Sequence, residues 1–478
     1  MNDAPSLRDY QVADLALYIA NPRFLNLSDP GTGKTPSVCV YAYWIWKELG
    51  GRTVWAMPKS LLKKNKRELH TFTPFTDEDV VIVDGTPKQR DEQIKSDAKV
   101  LLMGFSRWAE DWRTILKAHP DVTSLLVDEM HLGYKRNSSA RTQELFKSMR
   151  RLDRFLGMTG TLIDGDLGTA YPAMHVVEPR YYYNYTAFEA QHTVKDVNGK
   201  IISWTNHEKI RTILGRHAAR HTFSEVFGEA NMVIQTEPAE MSPQQFAAYR
   251  EFEENGLIEL LEKFILGGNE GVNIIRCLQI MQCPEVLDLN VPVGKDENIR
   301  IHLEDAIQRG ETMLVTGRFP AELDRIHKTI QSQGHDAGII HGGVSTKHRD
   351  EYDQAFRAGE IKFMVGSPPT LGVGYNWEML DHIVHSSLTY LDSDFTQANR
   401  RGVRGVRATP LRVTVLSYEN SIDQMLFAML RRKSREAHKV DPSYPIIDLF
   451  NTSPETDRKV EEMVENSIHA LRMNVAAQ

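Results

Sequence analysis

Ser28-Asp29-Pro30-Gly31-Thr32-Gly33-Lys34-Thr35 follows the short apolar run Phe24 to Leu27 and precedes the helix-like stretch Pro36 to Trp46. A loop of this composition between a strand and a helix suits one task, cradling the phosphates of a nucleoside triphosphate. Gly31 and Gly33 let backbone amides approach the phosphates, and Lys34 brings charge to the β- and γ-phosphates. The Thr35 hydroxyl can ligate Mg2+, with Asp29 and Thr32 completing the loop. The pattern G-x-x-x-x-G-K-[ST] has Ser28 where its first glycine stands. Pro36 falls in the first helical turn, where a missing N–H costs nothing.

A second chemical element, Asp128-Glu129-Met130-His131, follows the apolar run Ser124 to Val127. A carboxylate ending a buried parallel strand beside a phosphate loop can hold Mg2+, and its neighbour can orient or deprotonate the attacking water. Asp128 and Glu129 are expected in these two roles. A pair of acids ending a strand can also be an ordinary polar turn, but its position about one hundred residues after a phosphate loop favours the chemistry. His131 is either a turn residue or a coupling element.

With 478 residues the chain is too long for one ordinary core, and two domains of about 200 residues each are expected. The longest apolar run, Val38 to Trp46, falls short of the ~20 residues of a membrane-spanning helix, and Met1 onward shows no signal-peptide pattern. Three cysteines, Cys39, Cys277 and Cys283, make no metal or disulfide framework and suit a reducing cytosol. The net charge of −7 does not advertise nucleic-acid binding. A local basic stripe can still supply it. Two such clusters exist, Lys59-Lys63-Lys64-Lys66-Arg67 and Arg400-Arg401-Arg404-Arg407. The first is equally readable as a solvated helix face.

Beyond the phosphate loop, β-rich runs recur at Thr53–Met57, Val80–Val83, Val100–Phe105, Ser124–Val127 and Phe155–Met158, separated by helix-length polar stretches. That alternation predicts a parallel sheet covered by helices. A second set at Thr312–Thr316, Ala337–His341, Lys362–Gly366, His382–His385 and Arg412–Ser417 predicts a second sheet without a phosphate loop. The expected fold class is therefore α/β, with two parallel-sheet domains in tandem, helical insertions and a helical C-terminal tail. Expected boundaries are 1–165 for the ATP-binding domain, 166–295 for a helical insertion and linker, 296–440 for the second domain and 441–478 for the tail. In that tail Val460, Met463, Val464, Ile468 and Leu471 lie near one helical face, a packing stripe.

The order of motifs resembles helicase superfamily two, and within it the Swi/Snf-type DNA translocases, over nearly the whole chain. Leu7-Arg8-Asp9-Tyr10-Gln11 resembles the leading L-R-x-Y-Q, whose glutamine reads the adenine edge. Met57-Pro58-Lys59-Ser60-Leu61-Leu62 resembles a P-x-S-L-L segment that touches the DNA backbone, with Asn65 where the family often has Trp. Asp128 to His131 is then a DEAH-like box. Met158-Thr159-Gly160-Thr161 resembles L-T-G-T, which couples ATP state to DNA contact, with Leu162 in place of the usual proline. Ile340-His341-Gly342-Gly343 with Arg349 is similar to D-G-x-x-S-x-x-x-R, and Ser367 through Gly372-Val373-Gly374-Tyr375-Asn376 to S-T-x-A-G-G-x-G-x-N. Gln397-Ala398-Asn399-Arg400-Arg401-Gly402-Val403-Arg404 resembles Q-A-x-G-R-x-x-R.

The resemblance implies two RecA-like domains, ATP and Mg2+ as cofactors, and duplex or branched DNA bound largely without regard to sequence. The expected ATP-binding residues are Arg8, Tyr10, Gln11, Asp29, Gly31, Thr32, Gly33, Lys34, Thr35 and Gly374. Arginines three apart at a helix start share a face, so Arg401 and Arg404 are expected to reach the γ-phosphoryl group as arginine fingers when the halves close. Backbone contacts to nucleic acid are expected from Lys59, Ser60 and the Gly104-Phe105-Ser106 turn, and from Gly342, Ser345 and Ser367. His131, Thr159, Gly160, Thr161 and Gln397 are the expected coupling residues. A cytoplasmic monomer from a bacterium or a phage-infected host is expected, with no membrane association. Three functions remain open: a motor on duplex DNA that remodels branched DNA or displaces bound protein, a strand-separating helicase on forks or RNA–DNA hybrids, and the motor subunit of a restriction or anti-phage assembly. A simple metabolic ATPase, indifferent to DNA, fits least.

Overall fold

The structure is a computed structural model that describes residues 6–163, 166–195, 197, 199, 201–228, 232–266, 272–371, 375–389, 392–403, 409–419, 421–442 and 462. Two compact units divide the chain. The first holds residues 1–194, 203–229 and 439–443, and the second holds 195–202, 230–438 and 444–478. Gly374, Arg404, Arg407 and the tail residues Val460, Met463, Val464, Ile468 and Leu471 lie outside the described residues.

The first unit is built on β1 (Arg23–Asn26), β2 (Arg52–Met57), β3 (Val80–Val83), β4 (Val100–Gly104), β5 (Val122–Val127), β6 (Arg154–Met158) and β7 (Ala218–Ala219), in the order β3-β4-β2-β5-β6-β1-β7. Every pairing is parallel. Val54, Trp55, Leu101, Leu102, Leu125, Leu126, Phe155 and Leu156 are all essentially inaccessible, as continuous apolar strands covered on both faces require. Each such side chain contributes about 1.5–3 kcal/mol of burial.

The second unit contains β8 (Met232–Ala239), β9 (Met313–Thr316), β10 (Ala337–Ile340), β11 (Phe363–Gly366), β12 (His382–His385) and β13 (Leu411–Tyr418), in the order β8-β13-β12-β9-β11-β10, again all parallel. Met313, Val315, Ile339, Phe363 and Val384 pack against Ile299, Leu303, Leu323, Ile326 and Ile330 of the helices Lys295–Arg309 and Pro320–Ser332. A second core joins helices Pro243–Leu266 and Val272–Gln282 to helix Ile422–Val440 through Tyr249, Cys277, Met281, Met425 and Leu430. The α/β class with two parallel-sheet domains is thus observed.

The stretch 166–295, expected as a helical insertion and linker, also contains four strands among the described residues, of which Thr193–Lys195 and Ile201–Trp204 form a two-stranded sheet. Ala218–Ala219 extends the first sheet beside β1, and Met232–Ala239 is the edge of the second sheet. The run Met232-Val233-Ile234-Gln235-Thr236 is β-branched enough to announce the latter. The two-residue strand leaves no such pattern; its place is fixed by Leu27 N–H donating to the Ala219 carbonyl at 2.8 Å.

Candidate nucleotide site and coupling motifs

The phosphate loop leaves the C-terminal end of β1, where ligands of open parallel sheets bind. Gly31 and Gly33 have φ of 86° and 84°, left-handed values that a side chain disfavours, and Gly33 caps the helix Lys34–Leu49. A Cβ on Gly33 would also lie 3.1 Å from Gln11 Nε2. The loop is braced inside. Lys34 Nζ donates to the carbonyls of Ser28 (2.7 Å) and Asp29 (3.1 Å), and Thr32 Oγ1 to the Asp29 carbonyl (2.8 Å). Burial pushes the Lys34 ammonium below its ordinary pKa, while Glu129, Asp128 and Asp29 pull it back up. Thr35 occupies the first turn of the same helix.

Arg8, Tyr10 and Gln11 stand at the head of helix Asp9–Ala20 against this loop. The Tyr10 hydroxyl donates to the Thr32 carbonyl. Gln11 Nε2 donates to the Gly33 carbonyl at 2.7 Å, and its Oε1 accepts from Arg8 N at 2.8 Å.

Asp128 and Glu129 follow β5, and Asp128 N–H donates to Ala56 O at 2.9 Å, extending the sheet pairing by one residue. Asp128 Oδ2 accepts from Asn65 Nδ2 at 3.2 Å, and Oδ1 accepts from Glu129 N at 3.0 Å. Desolvation, then the Glu129 charge, raises the Asp128 carboxyl well above the ordinary carboxylate range, with Lys34 opposing. Glu129 has left-handed backbone (φ 47°), and its buried Oε2 has no hydrogen-bond partner among the described residues. A half-buried carboxylate pair in which Glu129 Oε2 lacks a hydrogen-bond partner among the described residues suits a cation and a water. Asp128 with the Thr35 hydroxyl fits the way Mg2+ is shared between few protein oxygens and phosphates. Among the described residues no group of three or more His, Cys, Asp or Glu forms a metal cluster.

His131 is buried, with Nδ1 2.8 Å from Thr159 Oγ1 and 3.6 Å from Glu129 Oε2. Thr159 Oγ1 donates to the Thr161 carbonyl at 2.9 Å. A Cβ on Gly160 would sit 2.5 Å from Pro30 Cδ, so only glycine lets this turn lie on the phosphate loop. His131, Thr159, Gly160, Thr161 and the phosphate loop are therefore one contiguous assembly.

The remaining expected residues fall elsewhere. Lys59 and Ser60 are exposed after β2, with Lys59 Nζ 2.9 Å from Asp84 Oδ1. Gly104-Phe105-Ser106 is not a free turn: Phe105 begins the helix Phe105–Ala118 and is buried edge-on to Tyr134, leaving Ser106 exposed. Lys63 and Arg67 are exposed on helix Leu62–Phe72, and Lys66 pairs with Asp77 at 2.8 Å. In the second unit Gly342 and Ser345 are exposed; Ser345 caps the helix Thr346–Arg357, and Arg349 Nη2 donates to the Gly342 carbonyl at 3.0 Å. Ser367 Oγ donates to Thr370 Oγ1 at 2.8 Å.

Gln397 is buried on helix Asp392–Asn399. The helix ends at Asn399, so Arg401 lies in the following turn and not on a helical face. Arg401 is only 6% exposed and donates Nη1 to the Tyr375 carbonyl at 2.7 Å. Asn399 is held by a buried relay, its Oδ1 2.8 Å from His385 Nε2, whose Nδ1 is 2.6 Å from Thr316 Oγ1. Burial lowers the His385 pKa to about 4, so the ring is neutral at pH 7.

Residues 295–406 match the family described as helicase conserved C-terminal domain. Among solved structures, a variant of Saccharomyces cerevisiae Dbp5 bound to RNA and ADP–BeF3 is similar over 96% of this chain and 93% of that one, at 12% identity and a TM-score of 0.51. A Sulfolobus solfataricus SWI2/SNF2 ATPase core in complex with double-stranded DNA is 19% identical over 96% and 97% of the two chains, with a TM-score of 0.42. No curated protein sequence matches the chain. The likeness to the Dbp5 structure is one of fold, two parallel-sheet α/β domains in tandem. No described helix is long and apolar enough to cross a membrane.

Proposed function

We propose that this chain is an ATP-driven translocase on double-stranded DNA that remodels branched DNA or displaces bound protein. The observation that carries the reading is the contiguity of loop, acids and coupling turn: Lys34 against Ser28 and Asp29, Asp128 and Glu129 beside it, and His131 bonded to Thr159. In this reading Lys34 exchanges its two carbonyl partners for phosphate oxygens, Asp128 and Thr35 hold Mg2+, and Glu129 orients the attacking water. The metal supplies charge neutralisation at the transferred phosphoryl group. Any shift at Glu129 is felt at His131 and Thr159, which links the state of the site to the coupling turn.

The motif order supports Arg401 and Arg404 of the second unit as the residues that complete the site, and Lys59, Ser60, Ser106, Gly342, Ser345 and Ser367 as contacts to nucleic-acid backbone. Exposure of Lys59, Ser60, Ser106, Gly342 and Ser345 is compatible with that role. ATPase rate against duplex, single-stranded, forked and RNA substrates tests the proposal. Strongest stimulation by duplex DNA is expected; stimulation by forks or hybrids with strand release favours a helicase, and no stimulation by any nucleic acid overturns the motor reading.

A further inference from the structure

The turn Ala219–Phe223 carries chemistry that no motif accounts for. Arg220 Nη2 lies 2.9 Å from Asp29 Oδ1 and 2.9 Å from Asp441 Oδ2, and its Nη1 donates to the Leu27 carbonyl. Phe223 N–H donates to Asp29 Oδ2 at 3.0 Å, and Asp29 N–H to the His221 carbonyl at 2.9 Å. His221 N–H donates to Ser28 Oγ at 3.0 Å, while its ring pairs with the buried Asp14 carboxylate at 2.9 Å and lies 5.1 Å from the Tyr10 ring. Leu27, Ser28 and Asp29 are thus each tied to a turn some 190 residues later in the chain.

Asp29 is the difficulty this arrangement answers. Its carboxylate is 5% exposed on a loop read above as the seat of a polyphosphate, and an uncompensated buried anion there would repel the ligand. Arg220 supplies the opposite charge, and its field also reaches Lys34. Asp441, next after the helix Ile422–Val440, shares the same guanidinium nitrogen and so draws part of that compensation away.

We infer that Arg220 is a positioning residue for the phosphate loop and that Asp441 tunes nucleotide affinity by competing with Asp29 for it. The inference rests on the reading of this loop as the ATP site. The local charge argument gives opposite signs to the two changes. Arg220→Gln takes the guanidinium charge away from both carboxylates and weakens nucleotide binding; Asp441→Asn removes the competing carboxylate from Arg220 and tightens it.

The test is titration of the full chain with a fluorescent ATP analogue and Mg2+, with KM and kcat for ATP in parallel. Arg220→Gln is expected to raise Kd and KM about tenfold or more with a smaller change in kcat, the scale of one lost charge-assisted contact. Asp441→Asn is expected to lower Kd by about twofold to threefold, and Arg220→Lys to recover part of the loss. Loss of affinity in both Arg220→Gln and Asp441→Asn would reduce the cluster to a structural brace and overturn the inference, as would wild-type affinity in Arg220→Gln and Arg220→Lys. If the unaltered chain binds no nucleotide, the ATP site itself is wrong and this inference falls with it.

Discussion

The two sheets present the same feature, a loop running from a strand end into a helix, and treat it in opposite ways. After β1, the left-handed Gly31 and Gly33 open the loop, and the Lys34 ammonium rests on its carbonyls. After β9, the loop Gly317-Arg318-Phe319 leads into helix Pro320–Ser332, and Glu322 folds back onto it. The Glu322 carboxylate is inaccessible and accepts from Arg318 N (2.9 Å), Phe319 N (3.2 Å) and Ser387 Oγ (2.9 Å). A Cβ on Gly317 would lie 2.7 Å from its carboxyl carbon. Helix starts leave amides that seek an anion. The second unit provides that anion from its own chain, whereas the first, on the proposed reading, takes it from the phosphates of a nucleotide. On the proposed reading, one topology yields one nucleotide site and one self-capped copy.

The most damaging change in this contrast is Lys34→Ala. Loss of essentially all ATP turnover is expected, with DNA affinity held within about twofold, because the proposed role of the lysine is toward phosphate and not DNA. DNA-stimulated hydrolysis measured beside DNA binding checks it, and surviving turnover would move the site elsewhere.

Acidification gives the next largest effect. Since Asp128 has a raised pKa, protons return to it on mild acidification, and Mg2+-dependent turnover should fall as pH drops from about 7.5 to about 5.5. Metal-free stability moves the other way at this residue: the folded state holds the proton more tightly than the unfolded, so Asp128 destabilises the fold at neutral pH and the penalty fades as pH falls. Turnover and melting temperature across that range, compared with Asp128→Asn, separate the two. Thr159→Val removes the hydroxyl bonded to His131 Nδ1, and a severalfold loss of nucleic-acid stimulation with near-normal basal ATPase is expected.

The smallest effect belongs to the self-capped copy. Glu322→Ala strips the caps from two amides and costs about 1–3 kcal/mol of stability, read as a lower melting temperature, with KM for ATP unchanged. A raised KM would show that the second loop takes part in nucleotide binding.

How much of this was legible depended on range in sequence. The phosphate loop, the Asp128-Glu129 strand end and most strands announce themselves locally, because apolar runs and glycines at fixed spacing answer to neighbouring residues. The brace of Ala219–Phe223 on Leu27, Ser28 and Asp29 does not, since its partners are some 190 residues apart and Arg220 and His221 belong to no pattern. Phe105 misled because a residue after a strand reads equally as turn or helix start, and Tyr134, which decides it, is distant in the chain. Arg401 was expected on a helix that stops two residues earlier. The carbonyl of Tyr375, distant in the chain, shows where its guanidinium goes. Self-capping by Glu322 follows the familiar spacing of a residue at the third helical position reaching back, and Phe319-Pro320-Ala321-Glu322 carried that signal unread.

The account stands on the proposal that hydrolysis at the Lys34 loop waits for arginines from the second unit. Nucleotide binding and DNA-stimulated turnover of Arg404→Ala, measured side by side, test it most directly. Binding equal to that of the unaltered chain with turnover reduced at least about a hundredfold is the predicted result. Near-normal turnover would contradict it.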